Sequence, residues 1–402
     1  MTQTPRSRWW TRGRPDLRRD LLTVAIERGA DAGGCAICWV LAERERRSLW
    51  ILLWENVLNP GTRRDWNRTL GFCARHTSAL CATATRMGQV PGLAILFGDI
   101  AREVVRRIEA SAPLDAWRHC LECRRQAQSE AAHVRRLTQQ LGDADWTDRW
   151  APSLRLCVNH AASIGGVEAT ISLTVHLRAL AVAPGGSHGV RSPRSTLAAL
   201  QAALLGFESP SGIPTLPRWG CGTCEAETAA VVREGRRVFQ GGATPPGSLC
   251  RRHAGVLLAS SAISPAQLLG HYSLALQEAA DELERKAQTR RRAKGSAGLP
   301  TSCPLCVFVE ARGSELAASA GPPGSEAKLC LRHTELAIER PSSVGGGTRA
   351  FRVAHVEALR ALAHELHELH RKSAWDARNE PKGQEQTSWI RAAHYLSYDA
   401  RA

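Results

Sequence analysis

The chain has 402 residues, 43% of them hydrophobic, enough to fill two or three cored domains, and this excludes an intrinsically disordered protein. Its net charge of +15 comes from 48 arginines and only five lysines set against 38 acids, a balance that permits an anionic partner without requiring one. The longest apolar runs, "LWILLW" and "GLAILF", are far too short to span a bilayer, and no apolar core of signal-peptide length follows the basic start. A cytoplasmic protein with no membrane association is therefore expected, and there grouped cysteines more often signify metal than disulfides.

In chain order, residues 1–34 read as a basic N-terminal arm, "RSRWWTRGRPDLRR", and a lead-in helix. Module 1 (35–111) opens at Cys35 and Cys38. A helical stretch rich in Ala, Leu, Glu and Arg follows, then a turn, then Cys73 and His76 opening a second helix, and then a third helix bearing Ile100, Val104 and Ile108. Module 2 (112–183) repeats the signature with Cys120, Cys123, Cys157 and His160. Residues 184–219 are a Pro/Gly/Ser-rich linker around a short helix, "STLAALQAALLG". Module 3 (220–296) carries Cys221, Cys224, Cys250 and His253. Its third helix starts at Ser264-Pro265 and bears Leu269, Tyr272, Leu276 and Leu283 on one side. Module 4 (297–372) carries Cys303, Cys306, Cys330 and His333, and its last helix shows Val356, Leu359, Leu362, Leu366 and Leu369. Residues 373–402 read as a polar C-terminal tail. First cysteines at 35, 120, 221 and 303 give steps of 85, 101 and 82 residues, so the four modules fall into two halves. The expected fold class is all-α: tandem metal-pinned helical hairpins.

A CxxC turn can aim both sulfurs at one centre, and a Cys and His three apart in the first turn of a helix share a face. Two chain segments then supply four tetrahedral ligands. Zinc suits a Cys3His set, and the helix N-terminus favours the thiolate located there. The intervals between consecutive CxxC and CxxH pairs, 34, 33, 25 and 23 residues, leave room for a helix and a turn. About four zinc ions per chain are expected, with an iron–sulfur cluster as the alternative. Covalent haem is excluded, because Trp39, Arg124, Glu225 and Val307 stand where the haem-binding histidine would be.

"CAICWVLAERE" followed by "TRRDWNRTLGFCARH", and later by a second CxxC and CxxH, resembles a family of uncharacterised bacterial proteins with paired CxxC and GFCxxH modules. That family has two such modules, so this chain resembles a doubled version. The resemblance is clearest over residues 35–160. "SLCRRH" and "KLCLRH" in the second half keep the ligands and lose the Gly-Phe. The resemblance implies metal binding and names no substrate or reaction.

Other motifs have simpler explanations. "GGSHG" at 185–189 formally matches a nucleophile elbow, but Ser187 lies in the linker without the strand and helix that such a site needs. His364, His367 and His370 in "HELHELH" read as the polar flank of a helix whose leucines face the core. Cys81, outside the repeat, reads as a buried apolar residue. Four protein ligands per site describe closed, structural zinc rather than a catalytic ion, so no enzyme is expected. The leading expectation is a protein whose modules bind a protein partner or a second copy of the chain. The alternative is nucleic-acid binding through Arg6, Arg8, Arg12 and Arg14, Arg251 and Arg252, and Arg290, Arg291 and Arg292.

Overall fold

The computed structural model describes residues 20–31, 35–150, 154–164, 222–240, 249–264, 303, 305–309, 329–339 and 347–396, with scattered positions between 267 and 281. Within these residues every regular element is helical. The one extended pairing is an isolated bridge between Cys35 and Arg155. The N-terminal arm, the linker with Ser187, Cys221, the Arg290–Arg292 run and the positions of Leu269, Leu276 and Leu283 lie outside the described residues.

Helix α1 (Leu21–Asp31) leads into α2 (Ala36–Ile51), which continues through a π-helical turn, Leu52–Asn56. Asn59 then caps α3 (Pro60–Arg68): its side-chain oxygen accepts from Gly61 N at 2.9 Å and Thr62 N at 3.1 Å, and Pro60 fills the first helical position, where no N–H is needed. Helix α4 (Ala74–Met87) stops at Gly88, whose φ of +66° provides the left-handed cap. Helix α5 (Val90–Glu109) buries Leu93, Leu96, Phe97, Ile100, Val104 and Ile108, the apolar stripe that the periodicity predicts. The first half is completed by α6 (Leu121–Gln140), α7 (Ala144–Trp150) and α8 (Val158–Ile164). The second half contributes α9 (Gly222–Gln240), α10 (Arg251–Ala259), α11 (Leu331–Glu339) and α12 (Gly347–Arg371).

Part of the segment expected as a polar tail is helical and packed. A 3-10 turn (Gln384–Thr387) and α13 (Ser388–Leu396) fold back so that Trp389, Ile390, Ala393, Tyr395 and Leu396 are buried. These residues form a short apolar stripe, and the polar run Asp376–Gln386 before it hides that stripe in any average over the segment.

The described part has two main cores, and each contains residues from both halves. In one, α4 and α5 pack against α12 and α13, with Leu80, Leu93 and Phe97 meeting Leu359, Leu362 and Tyr395. In the other, Ile26, Ile37, Leu137 and Val158 of the first half join Leu249, Leu257, Tyr272 and Leu305 of the second. Cys81 is fully buried in the first core, where burial raises its thiol pKa well above the usual value. No helix among the described residues is long and apolar enough to cross a membrane.

Candidate metal centres

Each Cys-rich pair sits at a helix start. Cys35 precedes α2, Cys120 precedes α6, and Cys73, Cys157, Cys250 and Cys330 immediately precede α4, α8, α10 and α11. The partial positive charge of these helix ends favours thiolate at each position.

The pairs combine in a nested order. Cys35 and Cys38 meet Cys157 and His160, while Cys73 and His76 meet Cys120 and Cys123. Cys250 and His253 meet Cys303 and Cys306, and Cys224 meets Cys330 and His333. Each half thus has an outer group, which draws on its first CxxC (Cys224 alone in the second half) and its last CxxH, and an inner group made of the two pairs between. Consecutive spacing suggests that each CxxC joins the CxxH that follows it; the structure instead places both groups of a half across the module boundary. All expected ligands within the described residues fall in these four groups, and Cys221 lies outside those residues.

The physical reason is the length of the CxxC helices. A helix rises about 1.5 Å per residue, so α2 carries the chain roughly 24 Å from its own cysteines before α3 begins. Helices α2 and α6 lie antiparallel: Arg44 donates to Ser129 Oγ at 3.0 Å, and Ser48 donates to Glu122 Oε2 at 3.0 Å. The far end of each helix therefore lies near the start of the other. Ala36 N also donates to Arg155 O at 2.9 Å, which ties the first CxxC directly to the strand-like approach of the last CxxH.

Donor distances are alike in the four groups, three of which show four described donors and the last three. Histidine Nδ1 lies 3.2–3.4 Å from the sulfurs of Cys73, Cys120 and Cys123 in the inner group, and 3.2–3.3 Å from those of Cys35, Cys38 and Cys157 in the outer one. In the second half Cys250, Cys303 and Cys306 lie 3.3–3.5 Å from His253 Nδ1, and Cys224 and Cys330 lie 3.3–3.4 Å from His333 Nδ1. Sulfur–sulfur contacts are 3.6–3.7 Å: Cys38 with Cys157, Cys73 with Cys123, Cys250 with Cys306, and Cys224 with Cys330. The described cysteines form no disulfide.

Crowding three sulfurs splits their ionisation. Hydrogen bonds from neighbouring thiols drive Cys120 and Cys303 far below the usual thiol range, and at Cys35 they overcome a burial that opposes charge. Cys73, Cys157 and Cys250, bonded to those thiolates, are held far above the usual range. Burial disfavours charge on the histidines, but hydrogen bonds to Cys120 and Cys123 outweigh it and push His76 up to about 9. Cys35, Cys38 and Glu130 likewise push His160 up to about 12. The raised thiols Cys73, Cys157 and Cys250 and the raised histidines His76 and His160 reflect crowded negative charge, which a metal ion would offset.

Sequence reasoning missed the carboxylates behind the histidines. With Nδ1 facing the sulfurs, Nε2–H of His160 donates outward to Glu130 at 3.0 Å and that of His333 to Glu227 at 3.3 Å, while His76 Nε2 stands 3.4 Å from Glu45 Oε1 and 2.7 Å from a guanidinium nitrogen of Arg75. Such a carboxylate fixes the tautomer and ring orientation of a ligating histidine. Glu45 and Glu130 each stand seven residues after the second cysteine of a CxxC, a shared offset that was available in the sequence. Each belongs to the helix of the opposite group, so α2 ligates with its start and supports the other histidine from its middle. α6 does the same in return.

Comparison of the chain with protein-family models, curated proteins and solved structures gave no match. What the protein does must be argued from these groups themselves. Four Cys/His groups that can hold metal ions, in an all-α fold among the described residues, describe a metal-binding protein.

Proposed function

We propose that the protein is a non-enzymatic zinc protein whose four metal centres pin helices into a scaffold for protein–protein interaction. The donor spacing carries the metal assignment. Zinc bonds of about 2.3 Å to sulfur and 2.0–2.1 Å to nitrogen place tetrahedral sulfurs about 3.8 Å apart and sulfur and nitrogen about 3.5 Å apart. The sulfur–sulfur contacts of 3.6–3.7 Å and sulfur–nitrogen contacts of 3.2–3.5 Å fit one ion per group. An iron–sulfur cluster distributes its ligands over two or more irons and holds those sulfurs farther apart. The resemblance to bacterial CxxC/GFCxxH modules agrees with this reading.

A structural role follows from the three groups with four described donors, which leave no coordination position for substrate, and from the way the groups join distant parts of the chain. Many described arginines are already engaged by carboxylates: Arg46 by Glu43, Arg106 by Glu103, Arg237 by Glu234 and Arg371 by Glu368. These pairs place carboxylates among the exposed guanidiniums, a mixed-sign surface that suits a protein partner better than a phosphate backbone. The test is metal analysis of the purified full chain, which should give about four zinc ions and no iron chromophore. A brown protein, or helical structure that survives complete chelation unchanged, contradicts the proposal.

A further inference from the structure

Trp50 on α2, Trp54 in its π-helical continuation and Leu58 in the turn just after it follow one another at intervals of four residues, and they are 38%, 61% and 70% exposed. The two indoles stack, with centroids 5.9 Å apart and planes 19° from parallel. Contiguous exposed apolar surface of this kind marks interaction sites, and Trp54 lies within a π-helical turn, a local departure common at functional sites.

Leu58 also lines a hollow of about 220 Å³ on the seam between α5 and α12, with Ala94, Ile95 and Leu366 as its apolar wall and Arg63 and Arg102 beside them. A second hollow of about 310 Å³ shares Arg102 and His367 with the first, and continues between Val105 and Ala363 to Arg360 and His364. Together they form one trough with an apolar bottom and a rim of guanidinium and imidazole groups. No carboxylate lines it. Asp99, which holds Arg63 and Arg102, and Glu109, which holds Arg360, lie outside the lining, and each guanidinium keeps further N–H donors.

We infer that this surface docks an acidic amphipathic helix of a partner protein. The inference deepens the interaction reading and rests on it. A helix laid in the trough buries its apolar face against Ile95, Leu58 and Trp54 and brings flanking carboxylates to Arg102, Arg360 and the histidines. A second copy of the chain is a poorer occupant, because each copy carries +15. The apolar wall offers a phosphate backbone nothing to pair with, and the stacked indoles leave each other only one face for a base.

The zinc-loaded full chain is titrated with a labelled synthetic helix of about five turns, with leucine and tryptophan on one face and glutamate on its flanks. Parallel titrations use the same helix with lysine for glutamate and a single-stranded oligothymidine. The acidic helix should bind and the lysine version should not. Replacing Trp54→Ser and Leu58→Ser together should weaken binding at least about tenfold, and Arg360→Glu should weaken it too, both with unchanged zinc content. Equal binding of the two helices, tighter binding of the oligothymidine, or no binding at all overturns the inference. Binding of the acidic helix that ignores both variants overturns this surface and leaves the interaction reading intact. That reading itself fails if the chain retains no protein from a nuclease-treated extract.

Discussion

Glu45 is almost fully buried, although nothing in its immediate sequence, "LAERERR", distinguishes it from the solvated charges around it. Its position behind His76 explains the burial and gives a sharp expectation. Loss of a supporting carboxylate typically weakens metal binding by 10–100-fold, and glutamine keeps an acceptor while removing the charge, so Glu45→Gln should weaken one zinc by about tenfold. Competition with a chelator should show that zinc to be the one held by Cys73, His76, Cys120 and Cys123, and not the one nearest in sequence at Cys35 and Cys38. Gly71 is a second decisive residue. Its φ is +89°, and a Cβ there would meet Ile100 Cδ1 at 2.7 Å, so strain and overpacking coincide. Gly71→Ala should cost about 1–3 kcal/mol in denaturant unfolding. The neighbouring Phe72 is buried edge-on to Trp66, with ring centroids 4.6 Å apart, and Trp66 Nε1 donates to Leu96 O at 3.0 Å. The Gly-Phe of "GFCARH" and the Trp of "RRDWNR" therefore anchor α3 and the entry of α4 on α5. Ligand identity was legible from spacing because CxxC and CxxH impose local geometry. The supporting carboxylates were not, because the contact of Glu45 with His76 depends on how two helices lie.

At the scale of elements, helices and their buried stripes followed from periodicity: Val356, Leu359, Leu362, Leu366 and Leu369 are all buried on α12, while His364, His367 and His370 are exposed. What the pattern could not reveal was the neighbour. α12 packs along α5 of the first half, and Leu366, fully buried, lies at that seam. Leu366→Ala should therefore destabilise the chain by about 2–5 kcal/mol, whereas Val353→Ala, at a position 53% exposed on the same helix, should change stability by less than about 0.5 kcal/mol. Comparable losses for both variants in equilibrium unfolding would contradict the packing of the two halves. The pairing of CxxC with CxxH belongs to this scale as well. Intervals of 34 and 33 residues are compatible with consecutive pairing as long as the helices between are imagined as short hairpins. α2 with its π-helical turn and the 20-residue α6 are instead long and antiparallel, and they carry each cysteine pair to the other's histidine.

Across the whole molecule, nested pairing turns two sequence modules into one unit, and the shared cores then join the halves. In the first half the outer group closes a loop from Cys35 to His160, with the inner group inside it. Closing so long a loop with one ion would constrain the unfolded chain more than a local hairpin would, and would couple folding of the half to metal binding. Chemical labelling of thiols, read by mass spectrometry, tests this arrangement most directly. In the zinc-loaded chain carrying Cys35→Ser and Cys38→Ser, the outer ion is lost and its remaining thiol is released. The nested arrangement predicts that Cys157 becomes rapidly alkylated while Cys73 stays protected in the inner group. Labelling of Cys73 with protection of Cys157 would show that each CxxC shares its ion with the CxxH that follows it, and would contradict the account.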